Sequence, residues 1–205
     1  MGEFGNIQEL EKGLIIRKNS VNKIQNYIMN ECNNPHEAFV LSKTYLSSQS
    51  YGGVLESFYK RFFHLSKIKE SQDGDLNSTH IGNVEVKVSI QHNVSDVQFC
   101  MMQLRPAHNV DYYLGVFYSF TESSIKYILA PSSNIKDIIE KYCGSYSHGT
   151  KTGKGKPIRK NWEKDTEAEF QFSFQTNPSK RKPYKIWSDL KSFVYSEQEL
   201  INKLK

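Results

Sequence analysis

Seven consecutive residues constrain this chain more than any others: Val84-Glu85-Val86-Lys87-Val88-Ser89-Ile90. Side chains alternate across a strand with a period of two, so Val84, Val86, Val88 and Ile90 share one face and Glu85, Lys87 and Ser89 the other. The segment is therefore expected to be a strand with one apolar face, carrying an acid and an amine side by side on its second face. Asp75 stands ten residues before Glu85, at the end of the turn-forming run Ser71-Gln72-Asp73-Gly74-Asp75.

The flanking patterns place this strand in a sheet. Apolar residues recur at helical spacing over residues 6–32, Asn33-Asn34-Pro35 breaks that run, and Pro35 opens a second helix over 35–46. A third helix is expected over 53–65, with Val54, Leu55, Phe58, Phe62 and Phe63 on its apolar face. Strands are expected at 83–90, 97–104, 112–120, 124–129 and 168–175, and helices at about 134–143 and after the Ser196/Glu199 capping box. Residues 144–164 read as irregular and basic, and Lys180-Arg181-Lys182-Pro183 as a loop. Helices, then strands, then a helix, a strand and a terminal helix argue for a mixed sheet flanked by helices, α/β or α+β. At 205 residues, with 24% charged and 13% aromatic residues, the chain suits one domain. Its expected parts are N-terminal helices over 6–65, a sheet core over about 66–143, and a basic loop with C-terminal elements over 144–205.

Two carboxylates and a lysine converging on one spot suit a divalent cation and an attacking water. Phosphodiester hydrolysis needs that water deprotonated, the pentavalent phosphate neutralised and the leaving alkoxide stabilised. Asp75 and Glu85 are the residue types that hold Mg²⁺ for this work, and Lys87 can orient the water or take its proton. Each residue also has a plainer reading. Glu85 and Lys87 make an ordinary ion pair if their face is solvated, Asp75 suits a turn, and a lone helical acid such as Glu56 is usually exposed. Ser89 reads as a bystander.

The order Gly74-Asp75-Leu76, then Glu85-Val86-Lys87 on the following strand, resembles the PD-(D/E)XK nuclease superfamily, the fold of many type II restriction endonucleases. Gly74 departs from the proline that precedes the aspartate in the motif. The resemblance extends to Glu56, on the helix before Asp75, where the superfamily often carries a further metal-site acid. It extends also to Gln103, in Met102-Gln103-Leu104-Arg105-Pro106, where related enzymes often place a glutamine near the site. From its own surroundings Gln103 is either a buried, satisfied polar group or a site residue. The resemblance covers roughly residues 50–130. It implies a restriction-endonuclease-like α/β core. The implied catalytic set is Asp75, Glu85, Lys87, Glu56 and Gln103, with Mg²⁺ (replaceable by Mn²⁺) on Asp75, Glu85 and Glu56. The implied activity is that of a type II restriction enzyme cutting double-stranded DNA, and a cut through both strands of a palindrome implies a homodimer. A nicking subunit or a repair nuclease of the same superfamily, and a DNA-binding protein without catalysis, stand as alternatives.

The net charge of +5 permits a polyanionic partner. Lys and Arg attract phosphate, and Gly allows close backbone approach. The run from Ser145 to Trp162 therefore offers His148, Lys151, Lys154, Lys156, Arg159, Lys160 and Asn161 as DNA contacts, and Lys180, Arg181 and Lys182 form a second basic group. Gly149, Gly153 and Gly155 lack the Gly-Lys-Ser/Thr that opens a nucleotide-binding helix, so no nucleotide cofactor is expected. The six histidines show no metal-ligand spacing. Cys32, Cys100 and Cys143 are expected as reduced thiols in a cytoplasmic protein, with neither signal peptide nor membrane span.

Overall fold

A computed structural model describes residues 7–47, 50–70, 73–91, 97–147 and 153–205. The chain is a mixed α/β protein whose backbone divides into two compact units, Met1–Phe62 and Phe63–Lys205.

The first unit holds three helices, α1 (Ile7–Asn30), α2 (Pro35–Tyr45) and α3 (Tyr51–Phe62). The Asn34 side chain accepts the N–H groups of His36 and Glu37 at 2.9 and 3.2 Å, and Pro35 needs no partner for its missing N–H. Arg61 of α3 donates to Met29 O at 2.9 Å, to Asn33 Oδ1 at 2.8 Å and to Cys32 O, closing the carbonyl end of α1. Ile28, Ala38, Phe39, Leu55, Phe58 and Tyr59 are fully buried in it.

The second unit is built on a six-stranded mixed sheet. Its strands are β1 (Ser66–Lys67), β2 (Leu76–Ser78), β3 (Gly82–Ile90), β5 (Tyr112–Ser119), β6 (Ser124–Pro131) and β8 (Val194–Tyr195), lying side by side in that order. Only β3 and β5 run parallel; the other pairs are antiparallel. Parallel neighbours need a crossover, and here the chain uses β4 (Gln98–Leu104) to make it. Against the expectation of one sheet, β4 pairs outside it with β7 (Phe170–Gln175) as a separate antiparallel ribbon.

That ribbon explains the aromatic content. Phe170, Phe172 and Phe174 alternate with exposed or half-buried polar residues on β7 and are buried. With Phe99 and Met101 of β4, they join Tyr113, Phe117, Ile128 and Ala130 of the sheet in one core. Phe117 and Phe174 meet edge to face at 4.9 Å between ring centres, and Trp187 stacks on Phe174 at 5.8 Å. Helix α4 (Ser132–Tyr142) adds Ile135, Ile138 and Ile139, the i, i+3, i+4 stripe of an amphipathic helix. It starts two residues earlier than its sequence signals imply, because Ser132 N–H is held by Asp111 O at 2.8 Å.

Lys182 and Pro183 open a helix, α5 (Lys182–Leu190), where the sequence reads as a loop. Proline in the first turn is a helix start, and Ile186 and Leu190 bury one face four residues apart. Helix α6 (Glu197–Leu204) has the expected capping box, Ser196 N–H to Glu199 Oε2 at 2.8 Å and Glu199 N–H to Ser196 Oγ at 3.3 Å. Among the described residues, no helix is long and apolar enough to cross a membrane.

Candidate active site

The β2–β3 ladder builds the site. Leu76 lies opposite Val84 as the last pair of that antiparallel ladder, and Asp75 precedes it in a bend at the entry to β2. There the register shifts: Asp75 N–H donates to Val84 O at 3.1 Å, so Asp75 and Leu76 both meet Val84, and Val86 N–H donates to Asp75 Oδ2 at 2.8 Å, which draws the carboxylate toward the charges of Glu85 and Lys87. Gly74 makes this bond pattern accessible. Its φ is +89°, and a Cβ there would stand 3.1 Å from Val84 O. Proline, locked near −65°, cannot adopt that conformation, so the departure from the motif proline has a backbone cause.

Lys87, two residues along β3, donates from Nζ to Glu85 Oε1 at 2.6 Å. The face they share is the one that carries Tyr113 and Phe117 on β5, because Glu85 pairs with Tyr113 and Ser89 with Phe117. Glu85 is only 8% exposed, and the Lys87 side chain 14%. The polar face of β3 is thus turned into the protein. Ser89, on the same face, accepts Cys100 N–H at 3.3 Å and ties β4 to β3.

Two carboxylates brought near each other and partly desolvated repel. Burial first, and the Glu85 carboxylate second, push the Asp75 carboxyl up to about 6, against the Val86 N–H and the Lys87 and Lys67 ammonium groups, which favour its charged form. The Tyr113 phenol is likewise pushed up by burial and by Glu85. Such a repelling pair is what a cation relieves. Among the described residues, Asp75 Oδ1 and Glu85 Oε2 take no hydrogen bond, and no three His, Cys, Asp or Glu side chains group around one point. Two hard carboxylate donors without a full protein cage fit Mg²⁺, which keeps several waters and binds through one or two carboxylates plus substrate phosphate.

The remaining expected residues fall in different places. Glu56 lies half-buried on α3, in the helical unit. Gln103 lies on β4 as expected, but it is exposed, which removes the reading as a buried polar group. It sits where the β4–β7 register shifts between Met101 and Leu104, at a left-handed φ of 53°. A non-glycine residue there is uncommon and stores strain on the order of 1 kcal/mol.

The turn after β4 was not singled out by sequence. Residues 105–111 are stitched to both flanks of the carboxylate pair. Asn109 Nδ2 donates to Asp73 Oδ1 at 3.0 Å, Asn83 Nδ2 to Asn109 O at 3.0 Å, and Asn83 N–H to Asp111 Oδ2 at 2.8 Å. On its outer side Arg105 gives two bonds to Glu169 Oε1, at 3.0 and 2.7 Å. His108, half-buried in this turn, is charge-coupled to Glu85, Arg105, Lys87 and Glu169. A single histidine in a loop has no spacing signature, so only the fold reveals where it lies.

The basic segment is anchored. Tyr146 and Lys156 pair through Tyr146 N–H to Lys156 O and Gly155 N–H to Tyr146 O, each 3.1 Å, and Ser145 bridges Pro157. Tyr146 and Trp162 are buried against Phe170, with ring centres 5.4 and 5.1 Å away. Between these anchors Lys154, Lys156, Arg159, Lys160 and Asn161 are exposed, as are Lys180, Arg181 and Lys182 at the start of α5. His148 and Lys151 lie outside the described residues. Compared with known proteins, the chain matches no family model and no curated sequence.

Proposed function

We propose that this chain is a Mg²⁺-dependent endonuclease that hydrolyses phosphodiester bonds of double-stranded DNA, with a restriction-endonuclease-like core, acting as a type II restriction enzyme and as a homodimer. The observation that supports it most is the Asp75 carboxylate, bound by Val86 N–H next to Glu85 on β3, together with the Glu85–Lys87 pair buried on the inner face of that mid-sheet strand. A surface ion pair would leave this face in water, and a turn aspartate would not be buried against the charge of a second acid.

Asp75 and Glu85 hold Mg²⁺ in this reading, and the ion supplies charge neutralisation at the phosphate and a more acidic water. Val86 N–H fixes the Asp75 carboxylate through Oδ2 and leaves Oδ1 toward the site. Lys87, as an ammonium donating to Glu85, has no lone pair for a proton; it orients the attacking water and offsets charge gathering on the phosphate. Tyr113 and Phe117 exclude bulk water from the inner side of the group, where electrostatic effects are correspondingly larger. The anchored basic segment and the start of α5 present Lys154, Lys156, Arg159, Lys160, Lys180, Arg181 and Lys182 as contacts to the duplex backbone.

The deciding experiment incubates the protein with supercoiled plasmid and a mixed-sequence phage genome, with Mg²⁺, with Mn²⁺ and with EDTA. Discrete fragments formed only with metal support a restriction enzyme. Nicked circles alone move the reading to a nicking or repair nuclease, and intact DNA in every metal overturns it.

A further inference from the structure

Resting on the homodimer of the proposed function and not on its chemistry, we propose that two copies of this chain join through the N-terminal half of α1, the two helices lying antiparallel so that Glu11 of each copy meets Lys18 of the other. The C-terminal half of α1 is held within its own unit: Ile28 is fully buried, and Arg61 of α3 donates to Met29 O and Cys32 O. The N-terminal half is not. Leu14, Val21 and Ile28 recur at seven-residue intervals, which sets them along one side of the helix. Exposure falls along that side from 64% at Leu14, through the half-buried Val21, to 0% at Ile28. The apolar side therefore runs on past the end of its partner within the chain. From Glu11 to Ser20 every residue is exposed, Ile15 among them at 60%. A stretch of about three turns with no packing, and with Gly13 inside it, is marginal as a helix in water.

The charges identify the occupant. Glu11, Leu14, Ile15 and Lys18 stand at i, i+3, i+4 and i+7, one face of a helix, with an acid at one end, a cation at the other and two apolar side chains between. Neither charge has an opposite one three or four residues away on α1, where Ile7, Gln8, Leu14 and Ile15 neighbour Glu11, and Leu14, Ile15, Val21 and Asn22 neighbour Lys18. Among the described residues, neither enters an ion pair. The face is symmetric about the midpoint between Leu14 and Ile15, with one charge three residues before Leu14 and the other three after Ile15. A second copy, turned end for end about that midpoint, lays Leu14 and Ile15 on their own counterparts and closes an ion pair at each end. That is the self-complementarity of a two-fold contact. Parallel helices would instead set Glu11 on Glu11 and Lys18 on Lys18, and like charges repel.

Sedimentation velocity of the full chain at micromolar concentration tests the pairing. The wild type should sediment as a dimer. Glu11→Lys and, separately, Lys18→Glu should each weaken that dimer by about tenfold or more, because each replaces two ion pairs by two like-charge contacts. Glu11→Lys combined with Lys18→Glu should recover the wild-type dimer, since the reversed charges are complementary again, and a variant that had merely misfolded would not be rescued this way. Cysteine oxidation reads the orientation. Ile15→Cys, beside the two-fold axis, should form a disulfide between copies. Glu11→Cys should add no crosslink to the wild-type background, because antiparallel helices hold its two copies about 10 Å apart along their length. A wild type that stays monomeric overturns the proposal, as do single variants that dimerise normally, a double variant that stays dissociated, or a Glu11→Cys crosslink. Plasmid cleavage by the same preparations separates this proposal from the nuclease reading. A chain that cuts DNA as a monomer ends the pairing and leaves the nuclease; a dimer that responds to these substitutions and leaves DNA intact keeps the pairing without it.

Discussion

The two ends of β3 hold polar clusters built on opposite principles. At its C-terminal end, Gln91 accepts from Ser119 Oγ at 2.8 Å and from Thr121 N–H at 3.3 Å, and donates to Thr121 Oγ1 at 2.8 Å. Gln91 and Ser119 are buried, neutral and satisfied. At the other end, the Asp75 and Glu85 carboxylates repel each other, and the Asp75 carboxyl is forced up to about 6. The first cluster closes the β3–β5 end of the sheet, and every group in it does structural work. The second opposes like charges where Asn and Gln would pack without penalty. A fold gains nothing from that arrangement, which is the physical argument for a ligand there.

The contrast can be broken most sharply by substitutions at the charged end. Lys87→Ala and Asp75→Asn should each lower Mg²⁺-dependent DNA cleavage by about 10³-fold or more, roughly 4 kcal/mol of transition-state stabilisation. Specific DNA binding and the fold should survive. Initial rates on a plasmid check this, and cleavage within tenfold of wild type in either variant would make the cluster structural.

The neutral end should respond in the opposite way. Gln91→Ala leaves the buried Ser119 hydroxyl and the Thr121 N–H without their acceptor, at a cost of about 2–3 kcal/mol in urea unfolding. Cleavage by the folded fraction should be unchanged.

A smaller effect separates the two ends by pH. In EDTA, Asp75 binds its proton near pH 6 in the fold against an ordinary value of 3.8. The folded chain therefore holds more protons than the unfolded one in that window. The stability this contributes is fully present below 3.8 and is lost as the pH rises through about 6. Asp75→Asn removes the dependence, so thermal melts should show the variant more stable than wild type at pH 8, by about 2 kcal/mol. The two should converge by pH 4, and parallel pH profiles would contradict the repulsion between the two carboxylates.

The smallest change is expected away from both ends. Replacing Lys156 and Arg159 together by Gln should weaken DNA binding only about fivefold at physiological salt. It should also reduce the slope of log affinity against log salt by about 2. An unchanged slope would take the basic segment out of the interface.

Much of the fold was legible because its signals are local. The Pro35 helix start, the Ser196–Glu199 box, the Phe170–Phe174 alternation and the alternation of β3 each depend on residues within a few positions of one another. Helix α5 was missed although its start signal was present, because Lys180-Arg181-Lys182-Pro183 reads equally well as a basic loop until Ile186 and Leu190 find a core.

The chain alone determined that Glu85 and Lys87 share a face, since that follows from the period of a strand. What that face looks onto was decided by tertiary structure. The β4–β7 ribbon, joining segments about seventy residues apart, packs its phenylalanines with Tyr113 and Phe117, and so turns a polar face inward. The stitching of residues 105–111 to Asp73 and Asn83 is likewise long-range, and no local pattern in the sequence announces it. Periodicity is a property of neighbours along the chain; burial and the company a charge keeps are properties of neighbours in space.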